Sequence, residues 1–241
     1  MEQKETTVNG VLLVDKAQDM TSHDVVAIAR RTLGTKKIGH CGTLDPMATG
    51  LLMLVIGKAT KIQDLLMSED KEYVGELTLG MTTNTQDARG EMVEERPYDH
   101  VTEEQLREVF DKYTGNFEQI PPMVSAIKKD GVPLYKLARK GVEVERAPRP
   151  IYVNSYEITR TEIPQVEFVV NCSKGFYVRT YAHDIGQDLE TGAHLSALRR
   201  TRSGKFTLER SVTVDQLKNG DRQEILDSMV SLAEISLMRG A

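Results

Sequence analysis

The chain has little of what would staple, anchor or export it. Of its 241 residues two are cysteines, Cys41 and Cys172, 131 positions apart and with no CxxC partner. That pattern fits reduced thiols, not a disulfide framework or a zinc site. Tryptophan is absent, and aromatic residues make up only 5% of the chain. The longest apolar run, residues 51–56, falls far short of the roughly 20 residues a membrane helix needs. The opening MEQKETTVNG lacks the apolar stretch of a secretory signal. The five histidines (His23, His40, His100, His183, His194) show no HxxxH or HExxH spacing, and no GxGxxG follows a strand-like run. Gly57-Lys58 resembles the end of a phosphate-binding loop. However, Leu52 stands where its first glycine belongs, and Ala59 where Ser or Thr would hold magnesium. These absences lead to the expectation of a soluble cytoplasmic protein with no metal, no cofactor and no membrane contact.

What is there is globular. With 39% hydrophobic and 28% charged side chains, the chain suits one large domain or two small ones and can bury a sizeable core without staples. The net charge of −5 speaks against a general duplex binder, but it averages over segregated segments. Residues 128–149 carry seven Lys and Arg against three acids, and residues 174–205 carry six against three. Residues 87–118 reverse the balance, with ten acids against four cations. Such segregation fits a protein that holds a polyanion on one face. Ordinary solvated faces would give the same pattern.

Periodicity predicts a strand over 11–14, then a helix capped by Thr21 or Ser22, with Val25, Ile28, Ala29 and Leu33 on one face and a stop at Gly34. A polar, Gly-rich segment over 35–50 leads to a strand over 51–56 and a helix through 62–66. A strand is expected over 73–79. A helix opens at Thr102, where Gln105 completes a capping box and Val101 and Leu106 form a staple. A short basic helix over 135–140 closes at Gly141. Alternation of Val166, Phe168, Val170 and Cys172 marks a half-buried strand, followed by a helix over 177–189 interrupted at Gly186. With no regular βαβ rhythm, the fold class is α+β.

The chemistry concentrates in Gly39-His40-Cys41-Gly42-Thr43-Leu44-Asp45-Pro46-Met47-Ala48-Thr49-Gly50. Its glycines allow a sharply turned backbone close to a ligand. Pro46 pushes Asp45 toward an extended conformation that presents the carboxylate at a turn. Taken alone, such an Asp-Pro is more often an Asx turn or a cap.

The whole segment, however, resembles the catalytic motif of the tRNA pseudouridine synthase B (TruB) family, and the resemblance extends along the chain. Asp15-Lys16 with Thr21-Ser22-His23-Asp24-Val25-Val26 resembles the family's N-terminal signature, Ala17 replacing the usual proline. Lys71-Glu72-Tyr73, Gln119-Ile120-Pro121-Pro122-Met123-Val124-Ser125-Ala126 with Lys128, and Gly131-Val132-Pro133-Leu134-Tyr135 follow in order. Ala138-Arg139-Lys140-Gly141, Arg149-Pro150, Cys172-Ser173-Lys174-Gly175-Phe176-Tyr177-Val178-Arg179-Thr180 and Leu198-Arg199-Arg200 complete the set. The match runs from about residue 9 to residue 215 at family-like spacing.

The resemblance implies a pseudouridine synthase fold: a central mixed, largely antiparallel sheet flanked by helices, with an RNA-binding insertion. It implies isomerisation of uridine 55 in the T loop of tRNA, with Asp45 as nucleophile, attacking C6 of the base or C1′ of the sugar. Arg179 matches the family's arginine partner, since a guanidinium favours an ionised aspartate. Tyr73 matches the tyrosine that stacks on the flipped uracil and assists proton removal from C5. Tyr177 and Leu198 match positions lining the pocket, and His40 a histidine filling space left by flipped bases. Lys16 and Lys61 are candidates for supporting the site, with solvated lysines an equal reading. Residues 121–150 match a mobile insertion over the T arm, where Lys128, Lys129, Arg139 and Lys140 would meet phosphates. The expected partner is the tRNA T-arm stem-loop, with no protein partner, the enzyme acting as a monomer. The expected domains are a catalytic domain over 9–215 and a short helical extension over 216–241, one or two helices. That extension is too short for the PUA-type RNA-binding domain of many relatives. Three rivals stand beside this reading: a non-catalytic RNA-binding module, an N-glycosidic hydrolase, and a synthase guided by a separate RNA.

Overall fold

The computed structural model describes residues 8–240. They divide into two compact units, one of residues 8–72 with 199–240, the other Tyr73–Leu198.

The first unit opens with β1 (Gly10–Lys16), α1 (Ser22–Leu33), β2 (Ile38–Cys41), β3 (Thr49–Ile56), a 3-10 turn over Gly57–Ile62 and α2 (Gln63–Met67). The apolar run makes β3 the centre of the unit, buried from Gly50 onward. On one edge it pairs antiparallel with β1, Leu12 opposite Leu54, and on the other with β2, His40 opposite Leu54. α1 buries the face that periodicity drew, between a Thr21–Asp24 capping box and a left-handed Gly34.

The second unit contains β4 (Lys71–Leu79, its first two residues still in the first unit), β5 (Met81–Thr83), β6 (Met92–Glu95), α3 (Glu103–Lys112) and β7 (Gly115–Gln119). A small hairpin of β8 (Lys128–Lys129) and β9 (Val132–Pro133) follows, then α4 (Leu134–Ala138). β10 (Arg149–Glu162), β11 (Gln165–Cys172) and α5 (Val178–Asp188) lead into β12 (Ala193–Ser203). The strands run in the order β4-β11-β10-β7. Phe110 of α3, Phe168 of β11 and Tyr181 of α5 meet at ring separations of 5.6–5.8 Å, tying both helices to one sheet face. Such offset aromatic contacts add to the area they bury.

From Arg199 the chain is again in the first unit. There Arg199 and Arg200 pair in parallel with Thr49 and Gly50 of β3. β13 (Phe206–Thr207), β14 (Val212–Thr213), α6 (Val214–Asn219), α7 (Arg222–Ser228) and α8 (Leu232–Arg239) complete it. β14 runs parallel to β1, with Val14 opposite Val212, and Val230 bridges to Val11. Parallel and antiparallel pairs in one sheet, with helices packed on it, make the fold α+β as expected.

Several local expectations are corrected. The segment 35–50 is not all loop. Ile38 and Cys41 are buried because β3 offers β2 an open edge, which outweighs the weak strand signal of Gly-His. The helix through 62–66 is shortened to α2 by the 3-10 turn before it. α4 ends at Ala138, so Arg139 and Lys140 follow the helix. α5 is not interrupted at Gly186. A side chain there would come within 2.2 Å of the Ala193 backbone nitrogen, so the glycine serves close packing and the helix runs through it. The C-terminal stretch holds three helices, not one or two.

Candidate functional site

In the first unit Asp45 lies on the loop joining β2 to β3, half-buried, and its neighbours are tethered on several sides. A turn closes beneath it, Ala48 N–H donating to the Asp45 carbonyl at 3.0 Å. On one flank Ser22, at the start of α1, both accepts from Leu44 N–H at 2.9 Å and donates to the Leu44 carbonyl at 3.2 Å. On the other, the Asp19 N–H donates to the Pro46 carbonyl at 2.8 Å. Lys16, fully buried, donates to the carbonyls of Ala17 and Met20 at 2.8 Å each and reaches Pro46 at 3.5 Å. Its ammonium thus supports the loop from beneath.

Arg200, 1% exposed, ties the two ends of the loop together. Its Nε donates to the Leu51 carbonyl at 2.7 Å and its Nη2 to the Gly42 carbonyl at 3.2 Å. Gly50 is needed for the same approach: at φ +97°, a Cβ would sit 2.2 Å from the Arg200 carbonyl oxygen. His40, on β2, meets the ring of His23 edge-on at 5.4 Å, and its buried Nδ1 has no partner among the described residues. Burial, then His23 and Arg200, lower its pKa to about 4, so the imidazole is neutral at pH 7. Lys61 is exposed on the 3-10 turn, away from the contacts that hold the Asp45 loop. Cys41 is buried and unoxidised, its thiol pushed up to about 12 by burial.

In the second unit Arg179 stands in the first turn of α5, 3% exposed. Nη1 donates to the Thr85 carbonyl at 2.8 Å and Nη2 to the Val124 carbonyl at 2.9 Å, while Nε lies 3.8 Å from Asp87 Oδ2. The other Asp87 oxygen accepts from Thr85 Oγ1 at 2.7 Å and from Arg89 N–H at 3.0 Å. Tyr177 precedes the helix, its backbone held by Gln119, which accepts from Tyr177 N–H at 2.8 Å and donates to its carbonyl at 3.1 Å. Tyr73 on β4 and Leu198 on β12 are 8% and 9% exposed. Lys128 and Lys129 are exposed on β8, while Arg139 lies 5.4 Å from the Tyr135 ring centroid with exposed Lys140 next in sequence.

The sequence reading missed Arg200, Gln119, His23 and Asp87. The first three stood inside quoted motifs without a role. Asp87 was counted into an acidic surface yet is 6% exposed. A single charge inside a run of like charges carries no sequence mark of its burial.

Residues 30–178 match the family described as TruB family pseudouridylate synthase (N terminal domain), and residues 179–237 the tRNA pseudouridylate synthase B C-terminal domain. A tRNA pseudouridine synthase B of Opitutus terrae is 56% identical over 90% of this chain and 90% of its own length. That of Syntrophotalea carbinolica is 48% identical over 94% of this chain and 74% of its own. Among solved structures, a chain of a Cbf5-Nop10-Gar1 complex superposes with a TM-score of 0.73 at 30% identity. The match covers 96% of this chain and 63% of that one, so this chain has the pseudouridine synthase fold. An aspartate loop tethered at both ends, two family matches that together span residues 30–237, and relatives near 50% identity over most of their length converge: the chain belongs to the TruB family of pseudouridylate synthases.

Proposed function

We propose that this protein isomerises uridine 55 in the T loop of tRNA to pseudouridine, acting in the cytoplasm as a monomer. The observation that carries the reading is the Asp45 loop, whose carboxylate is presented by a backbone pinned at Gly42, Leu44, Pro46 and Leu51. A nucleophile gains most when its position is fixed before substrate arrives.

The target uridine must leave the folded loop to react. Asp45 attacks C6 or C1′, the N1–C1′ bond breaks, the uracil turns, C5 bonds to C1′, and the bond to Asp45 breaks again, by displacement from C1′ or elimination from C6. The proton on C5 is lost and N1 gains one, so atoms and electrons balance within the nucleotide and no cofactor is called for. Tyr73 stacks the flipped base and relays the C5 proton. Tyr177 and Leu198 supply apolar walls, and neutral His40 fills space without adding charge. Arg179 supplies the guanidinium that the family resemblance pairs with the nucleophile. Lys128, Lys129, Arg139 and Lys140 contact phosphates, giving affinity that falls with salt.

Asp45→Asn tests this. With a T-arm stem-loop, wild type should place pseudouridine at position 55, detected by carbodiimide mapping. The variant should form none yet bind the RNA with near-normal affinity, because binding does not need the charge. Variant turnover within about tenfold of wild type, about 1.4 kcal/mol of barrier, would remove Asp45 from the chemistry. An unmodified stem-loop with wild type would remove the function.

A further inference from the structure

The insertion folds around a cavity of about 380 Å3, inside the range of roughly 300–1,000 Å3 typical of small-ligand sites. Pro121, Ile127 and Leu134 give it an apolar wall, and Leu134 is 2% exposed. Around them stand four cations, Lys128, Lys129, Arg146 and Arg149, against a single acid, Glu145. That acid leaves the cations largely unneutralised, since Lys129 donates to its backbone carbonyl, at 3.0 Å, and not to its carboxylate. Arg146 pairs with Glu143 through Nη2 at 3.2 Å, but its Nε is buried without a partner among the described residues. A buried guanidinium donor left unmet is costly, and an anion seated in the cavity would meet it.

An apolar wall beside cationic side chains matches a base joined to a phosphate. Arginine forks suit phosphate oxygens, and a base can lie on aliphatic surface while its phosphate stays at the rim. We propose that this cavity seats one nucleotide of the RNA substrate, its base against Ile127 and Leu134 and its phosphate on Arg146 and Arg149. The nucleotide is not the one isomerised. The inference rests on the RNA-modifying reading above and assigns the insertion a second role, gripping a chosen loop base in addition to tracking phosphates.

Ala147 lines the cavity and is exposed, so Ala147→Phe should fill it without unfolding the chain. Dissociation constants are measured for wild type and variant on a T-arm stem-loop and on stem-loops carrying one abasic site at each non-target loop position. Ala147→Phe should weaken binding of the intact RNA about tenfold. That loss should vanish on one particular abasic RNA, which wild type itself binds about tenfold more weakly. Arg149→Gln should lower affinity and reduce the log–log salt slope by roughly 0.7–0.9. Arg139→Gln, outside the cavity, should weaken every RNA equally. If Ala147→Phe binds intact RNA within twofold of wild type, or loses affinity equally on all abasic RNAs, the nucleotide site is refuted. Wild type that does not bind the intact stem-loop would instead refute the RNA reading, and the site with it.

Discussion

Arg200→Lys separates the presentation of Asp45 from the chemistry proposed for it. The guanidinium spans the loop by donating from Nε to Leu51 and from Nη2 to Gly42, two carbonyls nine residues apart in sequence. A lysine keeps the charge but not the rigid fork whose two nitrogens aim at two separate carbonyls, so one of the two carbonyls loses its donor. A hydrogen bond from a charged group is worth about 1.5–3 kcal/mol. If the orphan is the Leu51 carbonyl, in a buried strand, an unmet acceptor adds about 1–3 kcal/mol. If it is Gly42, which is half-exposed, water replaces much of the loss. The variant should therefore unfold in urea with about 2.5–6 kcal/mol less stability in the first case and no more than about 3 kcal/mol less in the second.

The more telling effect is kinetic. Asp45 lies three residues from one tether and six from the other, and an ångström of misplacement can cost about a hundredfold in rate. Single-turnover release of tritium from a stem-loop labelled at uridine C5, at saturating enzyme and a temperature where the variant remains folded, should slow by about that factor. Filter binding of the same RNA should stay within about threefold, because Arg200 is buried and meets no ligand directly. A variant that is destabilised as calculated yet releases tritium within threefold of wild type would show that Arg200 is core and that the loop keeps Asp45 in place without it.

Gly186→Ala, favourable for an ordinary helix, should cost about 2–4 kcal/mol in urea unfolding, because the new methyl meets backbone at Ala193 and Gly192 that cannot yield. His40 has a folded pKa of about 4 against an ordinary 6.5, so between these values the unfolded chain binds the extra proton. Stability should fall by about 1–3 kcal/mol as pH drops through that window, and His40→Gln should flatten that part of a stability–pH profile. Asp184 is the opposite case, its carboxyl raised to about 6 by burial and by Asp188. Ionising it therefore costs the folded state stability as pH rises through roughly 4–6. Asp184→Asn should raise Tm at pH 7, with about 1–2 kcal/mol gained, and the gain should disappear near pH 4.

Much of the fold was legible because its signals are local. The cap at Thr21, one of two residues expected there, the capping box at Thr102, the alternation along β11 and the apolar run of β3 each act within a few residues, and each formed where expected. What stayed hidden depended on distant chain. β2 exists because β3 has an edge to fill, and nothing in Ile38-Gly39-His40-Cys41 announces that. Gly186 read as a helix interruption because glycine weakens an isolated helix. The backbone it accommodates belongs to Gly192 and Ala193, across a turn.

The candidate site divides along the same line. Asp45 was legible because a Gly-rich turn ending in Asp-Pro is a local device, set inside a long ordered series of motifs. The residues that hold it were legible only as motif letters. Arg200 follows Asp45 by 155 positions, and its partners are backbone carbonyls, which have no identity in sequence. The same holds for Gln119, which grips the backbone of Tyr177, whereas Lys16, whose ammonium meets carbonyls of Ala17, Met20 and Pro46, was a candidate only through the family resemblance. A side chain that acts on side chains can be guessed from chemical pairing, but one that acts on backbone has no such pairing to betray it. Asp87 makes the point from the other direction. Its partner Arg179 was singled out, but the acid was lost among nine others between residues 87 and 118, because burial, and not charge, distinguishes it. Mutational scans of this family should therefore find their unexplained rate losses at buried polar residues aimed at main-chain atoms, with Arg200 and Gln119 foremost.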